Sequence, residues 1–116
     1  MTYVDGFVLA VPTANKEKYR KIAEDAAVIF KEYGALSVLE AWGDDVPKGK
    51  VTDFYGAVQC KDDETVVFSW IVWPDKETRV AGMQKCMEDD RMQGPENTPF
   101  DGMRMIYGGF DAIVEA

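Results

Sequence analysis

Histidine is absent from this sequence of 116 residues. Its absence excludes Ser-His and Cys-His nucleophilic pairs, histidine-ligated metal sites and a haem held by histidine. The adjacent acidic residues Asp44-Asp45 and Asp89-Asp90 do not have the alternating spacing of a calcium-binding loop. We therefore expect neither a cofactor nor a bound metal, and any acid–base chemistry must use other side chains, such as carboxylates or tyrosines.

Cysteines, long apolar runs and basic clusters are scarce as well. Cys60 and Cys86 are too far apart in sequence for a CxxC pair, and two lone cysteines favour reduced thiols in a cytosol. The alternative is one disulfide between them. No segment approaches the ~18 apolar residues of a membrane span, so we expect a cytoplasmic protein without a membrane partner. The 13 Lys and Arg against 21 Asp and Glu give a net charge of −8, which disfavours nucleic acid as a partner. The basic residues within 16–21 indicate the solvated face of a helix.

Hydrophobic residues make up 47% of the chain, which is typical of a folded protein, and the length fits a single domain over residues 1–116. Apolar patterns bounded by proline or glycine predict four strands, at residues 2–12, 35–43, 66–73 and 103–115. Apolar residues at helical spacing predict a helix over residues 15–33, with Tyr19 and Phe30 on its buried side.

A second helix is predicted to begin after its N-cap, Asp75, and to reach about Met92. Its buried side is predicted to carry three apolar residues at helical spacing, Val80, Met83 and Met87. Thr52 is expected to cap a short helix before the third strand. Residues 93–102 are predicted to form a loop, because they contain two prolines and an Asp-Gly turn.

The resulting order, β-α-β, a short helix and a second β-α-β, indicates an α+β fold of two split βαβ units, the ferredoxin-like arrangement. Its sheet has four antiparallel strands, and we expect the first and last strands to be neighbours at its centre. Gly6-Phe7 and Gly108-Gly109 then lie in adjacent strands. These glycines are expected to permit a bulge or a helix lying close above them.

Both faces of the predicted sheet are apolar. The side chains of the third strand are nearly all apolar on either side, Val66, Phe68, Trp70 and Val72 on one and Val67, Ser69, Ile71 and Trp73 on the other. Two helices cover only one face, and soluble monomers rarely leave the other in water. We therefore expect a homodimer with sheet packed against sheet. The alternative is a monomer whose short helix and loops cover the second face.

Asp5 and Asp111 are charged residues within otherwise apolar strands, one before Gly6-Phe7 and the other after Gly109-Phe110. A buried carboxylate requires a partner or a shifted pKa, so each is a candidate catalytic acid or base beside a cavity. The alternative is structural, in which they lie near strand ends or pair with Arg104 or a lysine.

Glu40 and Trp42 share one face of the second strand. With Trp70 and Tyr107 from other strands they form a candidate aromatic pocket with one carboxylate, a common composition for small-molecule sites. Glu40 and Tyr107 are candidate catalytic residues of this pocket, and Trp42 and Trp70 are its candidate ligand contacts. The alternative is that the tryptophans are core or interface anchors and that Glu40 is solvated on an edge strand.

Three blocks occur in order along the chain, GKVTDF at 49–54, DETVVFSWIVWP at 63–74 and PFDGMRMIYGGF at 99–110. Together they resemble the YbaA-like family of uncharacterised bacterial proteins, and the resemblance covers nearly the whole chain. That family is similar to the dimeric α/β-barrel superfamily, which includes small antibiotic-biosynthesis-type monooxygenases. The resemblance implies a ferredoxin-like fold that assembles as a dimeric α/β barrel. It assigns no catalytic residues, because the family has no assigned activity.

Two functions of different class are consistent with these features. The first is a cytosolic homodimer whose small-molecule cavity supports cofactor-independent oxygenase- or isomerase-like chemistry through a carboxylate and a tyrosine. The second is a non-catalytic dimer that binds a ligand or has a structural role. A cavity that places Glu40 or Asp5 beside aromatic side chains favours the first, and a solid interior with every carboxylate solvated favours the second.

Overall fold

A computed structural model describes residues 1–92 and 98–116, which form a four-stranded sheet and three helices. The strands are β1 (Tyr3–Pro12), β2 (Ser37–Trp42), β3 (Glu64–Trp73) and β4 (Ile106–Asp111), and the helices are α1 (Lys16–Glu32), α2 (Phe54–Ala57) and α3 (Lys76–Glu88). Short 3-10 turns lie at Thr13–Asn15, Asp90–Met92 and Gly102–Arg104. Residues 93–97 of the predicted loop lie outside the described residues.

The sheet is antiparallel throughout, with the strand order β2-β3-β1-β4. The α+β class and the four antiparallel strands confirm those parts of the sequence prediction. β1 and β4 are neighbours, as expected, with Tyr3 opposite Asp111 and Val8 opposite Ile106. The prediction that both strands are central was wrong for β4, because β3 takes the second central position and leaves β4 at the edge.

The glycines of β1 and β4 allow aromatic rings to lie against the sheet. Gly6 pairs with Gly108 in an uninterrupted register, so the predicted bulge is wrong. The Phe110 ring lies 3.4 Å from the position that a Cβ of Gly6 would occupy, and a Cβ on Gly109 would clash with the Tyr3 side chain. Side chains of the sheet itself, rather than a helix, therefore approach these glycines.

α1 and α3 pack on one face of the sheet, where most of the core lies. One core cluster joins α1 to the two central strands and consists of Leu9, Val11, Tyr19 and Val67. A second cluster, around Trp73, receives Phe30 from α1 and Met83 from α3. The predicted alternation of β1 and β3 is confirmed, because odd-numbered residues of both strands form this face.

α3 faces the sheet with small side chains. Gly82 and Cys86 are its buried residues, whereas Val80 and Met87 are 50% and 75% exposed, so the predicted buried side was wrong for these two. A Cβ on Gly82 would lie 2.6 Å from the Trp73 ring, which fills the space beneath the helix. The bulk of this indole therefore requires the glycine-bearing face of α3 to point inward.

Side-chain capping sets the helix starts. Asp75 accepts a hydrogen bond of 2.7 Å from a backbone amide in the first turn, which confirms it as the N-cap of α3. α3 ends at Glu88, so the predicted end near Met92 was too late and included the following 3-10 turn. α2 is capped by Asp53, which accepts from an amide at 2.7 Å, and not by Thr52 as predicted.

The second face of the sheet is covered at one end only. There, residues of α2 and its flanking loops pack on Ala10 and Val66. The rest, called the open face below, carries apolar side chains and glycines from three strands, Val4, Gly6, Val8, Phe68, Trp70, Val72, Ile106, Gly108 and Phe110. These residues line a groove of about 480 Å³, and Phe110 is 61% exposed. The short helix thus covers only part of this face.

Candidate functional site

Tyr19 of α1 and Glu40 of β2 meet between the helix layer and the sheet. The Tyr19 hydroxyl donates a hydrogen bond of 2.6 Å to Oε1 of Glu40. The buried stripe of α1 places Tyr19 there, and strand alternation places Glu40 and Trp42 on the same face of β2. The fold therefore brings one carboxyl and one phenol together, as the first sequence hypothesis required, but with Tyr19 in place of Tyr107.

Burial changes the acidity of both groups. Glu40 is an exposed residue of the edge strand β2, in agreement with the solvated alternative, but its carboxyl end lies against Tyr19. Partial burial of that end raises the pKa of the carboxyl, and hydrogen bonds from Tyr19 and Ser69 only partly oppose this. The pKa of Tyr19 is raised well above its usual range, first by burial and then by the charge and hydrogen bond of Glu40. Tyr19 therefore remains a protonated donor, and Glu40 binds its proton more tightly than a solvated carboxyl does.

A groove of about 240 Å³, called the α1–β2 groove below, opens beside this pair. Its lining comes from one face of α1 and from the sheet, Lys16, Tyr19, Arg20, Ala23, Glu24 and Ala27 on the helix and Val38, Glu40, Ala41, Trp42 and Val67 on the strands. The Lys16 ammonium lies 5.4 Å from the centre of the Trp42 ring, which is a cation–π distance. The groove thus combines apolar walls with a cation and a proton-binding carboxyl, the composition expected of a small-molecule site.

A second cavity, of about 160 Å³, lies against the core of the helix layer. Tyr19, Ala23 and Glu40 line both spaces. The other walls of this inner cavity are mostly core side chains, among them Phe7 and Phe30. The Tyr19–Glu40 hydrogen bond therefore lies at the boundary between the α1–β2 groove and the inner cavity.

Asp5 is buried, but its surroundings favour the structural alternative. Arg79 of α3 donates to both carboxylate oxygens, and Nε1 of Trp73 donates to Oδ2 at 2.9 Å. The expected partners, Arg104 or a lysine, were wrong, because Arg104 pairs with Glu64 at 2.6 Å. Asp5 holds α3 on the sheet and is not among the residues that line the α1–β2 groove.

The remaining predicted site residues do not join Glu40. Trp70 lies on the open face, because its even position in β3 points away from the face that carries Trp42. Tyr107 lies on the edge strand β4 and is 74% exposed, and Asp111 is exposed at the end of the same strand. The predicted aromatic pocket was therefore wrong, because Glu40 and Trp42 line the α1–β2 groove whereas Trp70 and Tyr107 line the groove of the open face.

The cysteines and the acidic pairs lie outside this groove. Cys60 and Cys86 are free thiols, and burial raises the pKa of each, which lowers their reactivity. Asp89 accepts hydrogen bonds from the Tyr33 hydroxyl and from Arg91, at 2.6 and 2.9 Å, and belongs to an ion-pair network. Within residues 1–92 and 98–116, no group of three or more acidic or cysteine side chains is placed to hold a metal ion.

No helix of that described part combines the length and the apolar character needed to cross a membrane.

Sequence reasoning did not pair Tyr19 with Glu40, although a usable signal was present. A tyrosine on the buried stripe of a helix needs a hydrogen-bond partner for its hydroxyl, and Glu40 is an acid on the face of β2 that the helix covers. The sequence indicates a solvated helix face for Lys16 and Arg20. Their ends do reach solvent, but both side chains also line the groove.

Comparison with known proteins finds relatives along nearly the whole chain. The family described as a protein of unknown function, DUF1428, matches residues 2–102. The "Uncharacterized protein YbaA" of Escherichia coli strain K12 is 57% identical over 116 residues, which is 99% of this chain and 99% of that relative. The proteins of the same name from Escherichia coli O157:H7 and Shigella flexneri match to the same extent. These matches confirm the resemblance predicted from the three sequence blocks.

Proposed function

The chain belongs to the DUF1428 family, and we propose that it is a small enzyme that moves a proton within a carbonyl compound without a cofactor. The observation that carries this proposal is the 2.6 Å hydrogen bond between Tyr19 and Glu40 in the wall of a ligand-sized groove. Burial raises the pKa of Glu40, which makes its carboxylate a stronger base than a solvated carboxylate.

In the proposed step, the Glu40 carboxylate removes a proton from the carbon beside the carbonyl group of the substrate. The electron pair of that C–H bond forms a carbon–carbon double bond, and the carbonyl oxygen takes a proton from a water molecule to give an enol and hydroxide. Glu40 regains its charge when it gives its proton to that hydroxide, and the reverse sequence, with a proton taken from water, returns a proton to carbon. Tyr19 is a positioning residue, since its hydroxyl donates to Oε1 and fixes the orientation of the carboxylate. Oxygenase-like chemistry stays a prediction.

Hydrogen exchange at carbon in D₂O, followed by NMR, tests this function with phenylpyruvate, acetoacetate and levulinate as probes. We expect the protein to accelerate exchange of at least one probe and Glu40→Gln to lower the rate about 100-fold or more, the usual contribution of general acid–base catalysis. Tyr19→Phe should lower the rate less and shift the pH profile upward, because its hydrogen bond lowers the pKa of Glu40.

Glu88→Gln is the matched control, because Glu88 is an exposed carboxylate at the end of α3 and outside the groove. This variant should exchange the probes at the wild-type rate. No acceleration with any of the three probes, or equal rates for wild type and Glu40→Gln, would contradict the proposed enzyme.

A non-catalytic ligand-binding role is the second candidate, and the burial of Tyr19 favours it. Tyr19 is 8% exposed and its hydroxyl already has a partner, so the hydrogen bond also suits a purely structural link between α1 and β2. In that case the groove binds its ligand unchanged. The wild type then shows no hydrogen exchange, while ligand binding remains measurable by calorimetry.

We propose further that the protein is a homodimer of ferredoxin-like subunits packed through the open face as a dimeric α/β barrel. The strand order supports that fold, because α1 and α3 each connect two strands that have one other strand between them. The open face supports the dimer, because its lining residues are uncharged while the chain carries a net charge of −8. Contact through this face buries apolar surface without bringing two acidic surfaces together.

Multi-angle light scattering tests the dimer, with an expected mass of twice that of one chain. Phe110→Glu places a charge on the open face and should give the mass of a single chain. Met87→Glu makes the same kind of change on the exposed side of α3 and should leave the dimer intact. A single-chain mass for the wild type, or the same mass for both variants, would contradict this assembly.

A cytoplasmic location completes the proposal. Both cysteines are free, which suits a reducing compartment. The net charge of −8 provides no general attraction for nucleic acid, so the proposed partners are a second copy of the chain and a small molecule. Cell fractionation with immunodetection tests the location.

A further inference from the structure

The helix wall of the α1–β2 groove carries two basic side chains, and one of them lies beside Trp42. Lys16 and Arg20 lie one helical turn apart on α1, and both line the groove. The Arg20 guanidinium lies 3.5 Å from the carboxylate of the exposed Glu17, so a weak surface pair partly offsets its charge. The Lys16 ammonium instead lies over the Trp42 ring at 5.4 Å. An anion that enters the groove therefore meets Lys16 as its principal cation.

The position of the charges in the lining restricts the anion that fits. Glu24 follows Arg20 by one turn on α1, and Glu40 lies on the sheet wall beside Tyr19. Arg20 already lies beside Glu17, so Lys16 over the Trp42 ring is the cation that an entering anion meets. One carboxylate matches the single charge of Lys16, whereas the two charges of a phosphate monoester exceed it.

The walls between these charges are apolar. Ala23 and Ala27 line the helix side of the groove, and Val38 and the Trp42 indole line the sheet side. The alanines leave room that larger side chains would fill, and the indole offers a flat apolar surface. The groove volume of about 240 Å³ is below the ~300–1,000 Å³ of sites for drug-sized ligands. A single ring or a short conjugated chain is therefore the appropriate size.

We propose that the α1–β2 groove binds a small planar carboxylic acid, an aryl or conjugated carboxylate, with its anionic end at Lys16 and its other end at Glu40. Lys16 and Tyr19 are three residues apart on α1, so both lie on the groove side of the helix within one turn. The proposal names the substrate class of the proposed enzyme, and it rests on the proposed function for the role of Glu40.

Isothermal titration calorimetry with benzoate, trans-cinnamate and phenylpyruvate tests this ligand class. We expect at least one of these acids to bind, and its uncharged amide to bind at least 10-fold more weakly. Lys16→Gln should weaken binding of the acid about 10-fold. Lys18→Gln, the same change on α1 but outside the groove lining, should leave binding unchanged. Circular dichroism and thermal unfolding verify that both variants fold.

Four results would overturn the ligand class. They are no binding of any of the three acids at millimolar concentration, equal affinity for acid and amide, equal effects of the two lysine variants, and tighter binding of phenylphosphonate than of benzoate. Calorimetry measures binding alone, so the two proposals fail separately. Lys16-dependent binding without hydrogen exchange supports the ligand class and contradicts the enzyme. Hydrogen exchange at a rate that Lys16→Gln does not change supports the enzyme and contradicts the ligand class.

Discussion

Arg79 of α3 holds both carboxylate oxygens of Asp5 in β1. Its Nη2 lies 2.7 Å from Oδ1, and its Nε lies 3.1 Å from each oxygen. Trp73 completes the arrangement by donating its indole N–H to Oδ2 at 2.9 Å. Asp5 is 3% exposed, and its carboxylate raises the pKa of Arg79. This ion pair anchors α3 to a central strand across a sequence separation of 74 residues.

Asp5→Asn should destabilise the fold, because it keeps the size of the side chain but removes the charge that Arg79 pairs with. Breaking a buried ion pair costs about 3–5 kcal/mol, and the 26% exposure of the Arg79 side chain favours the lower end of that range. Urea denaturation measures the loss. Asp111→Asn, the same substitution at an exposed position, should change stability by less than about 0.5 kcal/mol. Equal stability of the two variants would show that the Asp5 ion pair is unimportant.

Gly82→Ala should also destabilise the protein, although alanine is a better helix former than glycine by about 1 kcal/mol. The added Cβ would lie 2.6 Å from both the Trp73 ring and the Tyr33 carbonyl oxygen. Overpacking of this kind typically costs about 1–3 kcal/mol. Thermal unfolding measures the change, with Gly102→Ala as control, because the new methyl group there meets no atom within 4 Å. A gain in stability for Gly82→Ala would mean that α3 does not lie this close to Trp73.

The Glu64–Arg104 pair should make stability fall at acidic pH. Two hydrogen bonds of 2.6 and 2.7 Å from Arg104 lower the pKa of Glu64 from 4.5 to about 2. The native state therefore binds this proton more weakly than the unfolded state, so the stabilisation is complete above about pH 4.5 and is lost as the pH falls toward 2.

Glu64→Gln should cost about 1.5–3 kcal/mol at pH 7, the usual value of hydrogen bonds to charged groups, and should flatten the fall in stability between pH 4.5 and 2. Urea midpoints across this range measure the difference from wild type. The exposed Glu17→Gln is the control and should follow the wild-type curve. If Glu64→Gln loses as much stability as the wild type over the same interval, the pair does not cause the acid sensitivity.

Glu40 should affect stability with the opposite sign. Burial raises its pKa, so the native state binds this proton more tightly than the unfolded state. Its contribution is therefore fully present below the unfolded pKa of about 4.5 and is lost as the pH rises through the native pKa.

Glu40→Gln keeps a side-chain oxygen that accepts the hydrogen bond from Tyr19, and it carries no charge to bury. Its stability should therefore equal that of the wild type near pH 4 and exceed it at pH 7. Urea midpoints at the two pH values measure the effect, with Glu24→Gln as a control on the neighbouring helix face. A Glu40→Gln protein that is less stable than the wild type at pH 7 would show that the carboxylate is well solvated or well paired.

The strand alternation was sufficient to place Glu40 and Trp42 on one face, because that inference stays within one strand. Combining them with Trp70 required the register between β2 and β3, where a shift of one residue exchanges the two faces. Similarly, the helical stripe identified Tyr19 as buried, but only the packing of α1 over β2 gave it Glu40 as a partner. Arg79 was not predicted as the partner of Asp5, because no local pattern connects residues so far apart in sequence.

By itself, the sequence determined the element types and their order, the two apolar sheet faces, the Asp75 cap and the family. These features depend on periodicity, capping and composition, which act over a few residues or sum over the chain. The tertiary structure decided the strand order, the rotation of α3 and the partners of Asp5, Tyr19 and Glu64. Those outcomes depend on the fit of distant surfaces, such as Gly82 against the Trp73 ring, whose energy no local sequence pattern contains.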